Sequence, residues 1–146
     1  MTTAYALTID LPQPRAAAIE SLRAALAAEQ MGIVSEVDVQ ATLKAKLGLD
    51  SHPQKLLGIC SPKVAHAILS AEPDMGAMLP CGCGVAEAQP GLTRIALQDP
   101  AVMAAATHNQ AVHAACELAT AALRRVVARL ANVSANGTAS QPASAT

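Results

Sequence analysis

Aromatic side chains and net charge are the two things this sequence has least of. Among its 146 residues there is one tyrosine, Tyr5, and there is no phenylalanine or tryptophan. Ten basic residues nearly balance eleven acidic ones, which gives a formal charge of -1. Proteins that bind single-stranded nucleic acid stack bases on aromatic faces in a positive groove. The composition therefore predicts no nucleic-acid partner.

Long apolar runs are also missing. The N-terminus MTTAYALTIDLP has neither a basic segment nor a continuous apolar segment, so it does not predict a signal peptide. The most apolar stretch, residues 101–123, is interrupted by His108, His113 and Glu117, so we expect no membrane span. These absences predict a cytoplasmic protein. Its four cysteines are then expected to be thiols or metal ligands rather than structural disulfides.

The common catalytic and nucleotide-binding motifs are absent as well. The sequence contains no Walker loop, no G-x-G-x-x-G after a strand, no G-x-S-x-G and no H-E-x-x-H. The acidic residues Glu36, Asp38, Glu72 and Asp74 have no spacing that indicates a catalytic pair. This favours a binding protein over an enzyme, without excluding an enzyme.

The pattern of strands and helices is clearer than the function. Alternation and β-branched residues predict five strands, and apolar stripes at helical spacing predict the helices between them. The predicted strands are 3–10, 33–39, 55–60, 79–88 and 92–98, and the predicted helices are 14–31, a short one around Leu43 and Leu47, one after Pro62, and a long one over 100–133.

Strands and helices in this order predict an α+β fold in two layers. The tight turn Gln89-Pro90-Gly91 favours a mainly antiparallel five-stranded sheet, with helices on one face. The other face is then wet or pairs with a second subunit. We predict one domain over residues 1–133 and a disordered small-residue tail over residues 134–146.

Three cysteines lie where a strand begins or ends. Cys60 ends a predicted strand directly before a helix N-terminus, a place that can favour a thiolate. Cys81 and Cys83 are two residues apart, so on a strand they share a face with Cα atoms about 6.7 Å apart. Two such thiolates could bind a soft ion such as Cu(I) or Zn(II), and Gly82 and Gly84 could let the backbone bend toward a ligand. Each of these cysteines can equally be a small apolar side chain in a strand.

The other sulfur-containing residues have weaker signals. Cys116 falls on the apolar stripe of the last helix and is predicted to be core. Met75, Met78 and Met103 could supply thioether ligands to Cu(I), although methionines at helix ends more often serve packing.

Two long segments resemble the family catalogued as domain of unknown function 302. They are GIVSEVDVQATLKAKLGLD and LLGICSPKVAHAILSAEPDMGAMLPC. The family pattern is matched at many ordered positions, namely Glu36, Asp38, Thr42, Leu43, Lys44, Lys46, Leu47, Gly48, Gly58, Cys60, Pro62, Ala65, Glu72, Pro73, Gly76, Leu79, Pro80, Cys81, Asp99, Pro100 and Met103. The resemblance implies a TATA-box-binding-protein-like α+β fold and a homodimer, and it implies no settled activity. Family members usually continue differently after Leu-Pro-Cys, so Cys83 is particular to this sequence.

Three functional hypotheses follow. The first is a binding protein with a soft-ligand site, for a metal or for sulfur, formed by Cys60, Cys81 and Cys83 at strand ends. The second is a homodimeric small-molecule or cofactor-binding domain with an apolar pocket bordered by Met75, Met78 and Met103 and lined by unreactive cysteines. The third is a thiol or persulfide-transfer enzyme with Cys81 as the acceptor. Whether Cys60 and Cys81 meet depends on whether their strands are antiparallel.

Overall fold

A computed structural model describes residues 3–139 and has the predicted α+β architecture. The elements, in chain order, are β1 (Ala6–Leu11), α1 (Arg15–Ala27), β2 (Gly32–Asp38), α2 (Val39–Leu47), β3 (Gln54–Cys60), α3 (Pro62–Ala71), a 3₁₀ segment (Pro73–Met78), β4 (Cys81–Gln89), β5 (Leu92–Gln98), α4 (Ala101–Ala105) and α5 (Gln110–Ala139). All five predicted strands are present, with their ends shifted by at most a few residues.

The five strands form one antiparallel sheet in the order β1-β5-β4-β3-β2. Helices α1 and α5 pack against each other and against the sheet, and α3 packs on α5. This confirms the two-layer fold with a mainly antiparallel sheet. On the other face, Leu56, Gly84 and Ala96 lie side by side on β3, β4 and β5, and the Leu56 side chain is about half exposed.

Helix α2 begins and ends at residues that suit helix termini. The Asp38 carboxylate accepts a hydrogen bond from the Ala41 backbone N–H at 2.9 Å and so caps the first turn. Gly48 adopts the left-handed conformation, with φ of 66°, and terminates the helix. None of the residues of α2 is buried, so this helix connects β2 to β3 without contributing to the core.

The long helix predicted over residues 100–133 is wrong in one respect, because the chain breaks it into α4 and α5. The Asn109 side-chain oxygen accepts hydrogen bonds from the Ala111 and Val112 backbone N–H groups and caps α5. The Asn109 side-chain amide also donates to the Ala71 carbonyl, which ties this turn to the end of α3. An asparagine inside an apolar stripe was the available signal for a helix start.

Helix α5 continues to Ala139, into the segment for which a disordered tail is predicted. The remainder of that predicted tail, residues 140–146, lies outside the described residues. Within the part of the chain that the structure describes, no helix has the length and hydrophobicity that crossing a membrane requires.

The buried side chains form two separate clusters. The larger cluster lies between the sheet, α1 and the C-terminal half of α5, and includes Leu22, Leu57, Ile95 and Leu130. The smaller cluster joins α3, the 3₁₀ segment, α4 and the start of α5; its fully buried members are Ile68, Met75, Met103, Val112, Ala115 and Cys116. A cavity lies where these two clusters meet, since residues of both line it.

Candidate functional site

A cavity of about 330 Å³ opens where the two clusters meet, at the end of the sheet where β3 finishes and β4 begins. Its walls come from these strands, α3, the 3₁₀ segment, α4 and α5. The lining residues are Met31, Val34, Ile59, Cys60, Ser61, Val64, Ala65, Ile68, Leu69, Gly76, Leu79, Pro80, Cys81, Pro100, Met103, Ala119 and Leu123. The volume is within the range of small-molecule sites in proteins.

The surface of this cavity is almost entirely apolar. Among the described residues that line it, none has a carboxylate, an ammonium, a guanidinium or an imidazole. Ser61 supplies the single hydroxyl group of the lining. A charged ligand would lose its hydration here without gaining an ion-pair partner. The lining therefore disfavours charged organic ligands and hard metal ions.

Cys60 and Cys81 both lie in the wall of the cavity. Strands β3 and β4 are antiparallel, and Ile59 is paired with Cys81. The last residues of β3 and the first residues of β4 therefore lie at the same end of the sheet. Both thiols are free and half-buried. The sequence left open whether these two cysteines meet, and the antiparallel pairing places them together.

Burial makes Cys81 a weak acid. Loss of solvent raises the pKa of the Cys81 thiol to about 11, and the neighbouring Cys116 and Cys60 add smaller increases. The pKa of Cys116 is also raised by burial, although a hydrogen bond from the Ala104 backbone opposes this. At neutral pH the Cys81 sulfur is therefore a neutral thiol and not a nucleophilic thiolate.

Cys116 confirms one expectation and adds a contact that the sequence did not reveal. It is a buried core residue, as its position on the apolar stripe predicts. It also belongs to the cluster against which Cys81 packs, so it lies behind the cavity wall. A helix residue and a strand residue thirty-five positions apart are brought together only by tertiary packing.

Cys83 lies on the same sheet face as Cys81 but belongs to a different environment. It is paired with Leu57 and Leu97 and is buried in the larger core cluster, away from the lining of the cavity. Burial raises its thiol pKa to about 12. The structure therefore brings Cys60 and Cys81 together and leaves Cys83 out of their cavity. Within residues 3–139, no cluster of three or more His, Cys, Asp or Glu side chains could hold a metal ion.

Four methionines of the described part of the chain lie in the cavity lining or behind it. Met103 is in its lining and almost completely buried, as is expected for a pocket of the second hypothesis. Met31, which the sequence did not single out, lines it as well. Met75 and Met78 pack in the smaller cluster behind the wall instead of bordering the space directly.

Two glycines near Cys81 have different roles. A Cβ at Gly58 would lie 2.2 Å from the Ser35 Oγ and 2.6 Å from the Pro80 Cγ, so this position needs glycine for close packing. Gly82 is paired with Gly58 across the strands, yet a Cβ there would meet nothing within 4 Å. Gly58 therefore lets Pro80, and with it the start of β4, approach the neighbouring strand.

We expect Cys81 to react slowly with iodoacetamide at neutral pH. With a thiol pKa of about 11, the thiolate fraction at pH 7 is on the order of one in ten thousand, roughly two orders of magnitude below that of a free cysteine. Alkylation, followed residue by residue by mass spectrometry, should accelerate about tenfold per pH unit until the pKa is approached. Unfolded protein is the control, since its cysteines should react at the free rate. Labelling of native Cys81 at the free rate at pH 7 would contradict this account.

Together, the sheet, the helix layer and the apolar cavity at the end of the sheet define a small α+β domain with a pocket of ligand size. The chain belongs to the family described as Domain of unknown function DUF302, whose model matches residues 7–130. The crystal structure of an uncharacterised conserved DUF302 protein from Bacillus stearothermophilus has the same fold, with a TM-score of 0.73 and 28% sequence identity. The match covers 88% of this chain and 97% of that one. A comparison with curated proteins gives no match.

Proposed function

We propose that this domain binds a small, uncharged, apolar molecule in the cavity between its two core clusters. The observation that supports this proposal is an apolar cavity of about 330 Å³ that is partly open to solvent. Ligand sites are usually concave, mostly apolar pockets of about 300–1,000 Å³, and this cavity has both properties. Removing an apolar ligand from water into such a space is favourable because both surfaces lose contact with water.

In this proposal Cys60 and Cys81 are wall residues and not reacting groups. The high pKa of Cys81 agrees with this role, because a neutral thiol behaves as a small apolar group with a weak hydrogen-bond donor. The high pKa of Cys81 also disfavours the hypothesis of a persulfide-transfer enzyme, in which Cys81 must act as a thiolate nucleophile.

The test is a calorimetric titration with two neutral probes, β-naphthol and its fully saturated analogue. We expect at least one of them to bind with one-to-one stoichiometry and to raise the melting temperature of the protein, since a ligand that binds only the folded state stabilises it. If neither probe binds and neither shifts the melting temperature, the proposal fails.

A second candidate function is the binding of a soft metal ion, and it is favoured because Cys60, Cys81 and Met103 all line the same cavity. Thiolate and thioether ligands select Cu(I), whereas structural Zn(II) sites use four ligands, so these residues fit Cu(I) better than Zn(II). Binding would release the proton of Cys81 and would weaken as the pH falls.

A Cu(I) titration of the reduced protein decides between these candidates. The metal proposal expects Cys81→Ser to lose most of its Cu(I) affinity while Cys83→Ser, which changes a cysteine outside the cavity, keeps it. Equal affinity in the wild-type protein and Cys81→Ser would rule out a metal site at this wall.

We also propose that the chain forms a homodimer through the open face of its sheet. That face exposes Tyr5, Val37 and Leu56, and its Asp10–Arg94 ion pair at 2.8 Å leaves it without net charge to oppose a second copy. Five strands of this length give a projected area on the order of 500 Å². Flanking side chains bring such a face toward the roughly 800 Å² per partner of a standard interface.

The dimer is tested by sedimentation equilibrium of the wild-type protein and of Gly84→Lys. A side chain at Gly84 meets no atom within 4 Å, so the lysine should change the open face without disturbing the fold. We expect a wild-type dimer, a monomeric Gly84→Lys and a dimeric Leu118→Lys, whose substitution lies on an exposed position of α5. A monomeric wild-type protein, or a dimeric Gly84→Lys, would contradict the proposed interface.

The cytoplasm is our proposed location. All four cysteines are unpaired, which fits a reducing compartment. Fractionation of cells that express the chain tests this proposal, and recovery outside the cytoplasm would overturn it.

A further inference from the structure

Sulfur is concentrated around the cavity to an unusual degree. The chain has four cysteines and five methionines. Met31, Cys60, Cys81 and Met103 line the cavity, and Met75, Met78 and Cys116 pack in the cluster directly behind it. Seven of these nine residues therefore surround one small space. The larger core, which is mainly leucine, isoleucine, valine and alanine, contains Cys83 and contacts Met31.

Aromatic rings are missing from the same place. Tyr5 is the only aromatic residue of the chain, and it lies in a shallow groove on the open face of the sheet, outside the lining of the cavity. Divalent sulfur is polarisable and makes favourable contacts with aromatic rings at about 5 Å. No aromatic side chain is among the described residues that line the cavity, so these sulfur atoms contact no aromatic ring of the protein there.

The size of the space also limits the ligand. An engineered apolar cavity of about 150 Å³ in another protein holds one benzene molecule. The present cavity, at about 330 Å³, is roughly twice that volume and so has room for two fused rings. Its charge-free lining requires a neutral ligand, and Ser61 offers one hydroxyl as a polar contact.

We propose that the natural ligand is a neutral, planar aromatic molecule of one or two rings, held by the thioethers of Met31 and Met103 and by the thiols of Cys60 and Cys81. This inference rests on the proposed function and makes it more specific. The aromatic ring of the ligand takes the place of the aromatic side chains that the domain lacks. The flexible methionine side chains can pack against the edge of that ring.

The test compares β-naphthol with its saturated analogue, which has the same carbon skeleton and no π system. Burial of apolar surface alone favours the saturated analogue or treats the two alike. Sulfur–aromatic contact predicts that β-naphthol binds about tenfold more tightly. The double variant Met31→Leu, Met103→Leu conserves volume while removing both thioethers, and it should reduce β-naphthol affinity by about 2- to 10-fold for each contact. Its affinity for the saturated analogue should be unchanged.

Met75→Leu is the matched control, because Met75 is buried in the same smaller cluster as Met103 but does not line the cavity. It should leave both affinities as they are in the wild-type protein. If both probes bind equally well, or if the double variant keeps the aromatic preference, the inference is overturned while the apolar site stands. If neither probe binds, the proposed function and this inference fail together. A folded double variant, shown by an unchanged unfolding transition, is required for the comparison.

Discussion

Ala65→Phe should abolish ligand binding without unfolding the protein. Ala65 lies on α3 and forms part of the cavity lining, and a phenyl ring there would occupy much of the 330 Å³. We expect the affinity for either apolar probe to fall by about a hundredfold or more, which corresponds to roughly 3 kcal/mol of binding free energy. The free energy of unfolding should be unchanged or higher, since filling a cavity commonly stabilises a protein by about 0.5–2 kcal/mol.

Ala67→Phe is the control for this experiment. Ala67 is on the same helix but is exposed and does not line the cavity. This variant should bind the probes as the wild-type protein does. If Ala65→Phe also binds them normally, the probes occupy some other site and the proposed cavity is not the binding site.

Gly58→Ala should destabilise the domain substantially. The added Cβ would be 2.2 Å from the Ser35 Oγ and 2.6 Å from the Pro80 Cγ, and the ring of Pro80 cannot move aside as a flexible chain can. Overpacking of this kind costs about 1–3 kcal/mol of unfolding free energy. Because Pro80 and Cys81 both line the cavity, we also expect weaker binding of the apolar probes. Denaturant unfolding and calorimetry measure the two effects.

Gly82→Ala provides a closely matched comparison. Gly82 is the cross-strand partner of Gly58, but its Cβ would meet nothing within 4 Å. Replacing a strand glycine by alanine in open space should be neutral or stabilising by about 0.5–1 kcal/mol. Equal stability of the two alanine variants would show that Gly58 has no special packing role.

The strands and most helices could be predicted because each has a local signature. Alternation and β-branched residues identified β2, the spacing of Leu43 and Leu47 identified α2, and Pro62 marked the start of α3. The break before α5 was missed because an apolar stripe continues through it. A single capping residue, Asn109, interrupts the helix there, and only its contact with the end of α3 makes that choice clear.

The candidate site could be predicted only in part. The order of residues identifies Cys60, Cys81 and Met103 as residues of interest, and all three line the cavity. The sequence could not show that Cys81 lines the cavity and Cys83 does not. Two residues on one face of a strand can pack in different core clusters along the length of the sheet. Met31 reaches the cavity, and Cys116 reaches Cys81, through long-range packing that no local sequence pattern predicts. The cavity itself is a property of how two clusters fail to fill the space between them.

An NMR titration can show whether a ligand enters this cavity. The methyl resonances of isotope-labelled methionines are followed by NMR while β-naphthol is added, with assignments made from single Met→Leu variants. We expect large ring-current shifts for Met31 and Met103, whose side chains line the cavity, and small shifts for Met75, which packs behind it. Saturable binding that leaves the resonances of Met31 and Met103 in place, or no change in any methionine resonance, would contradict the account.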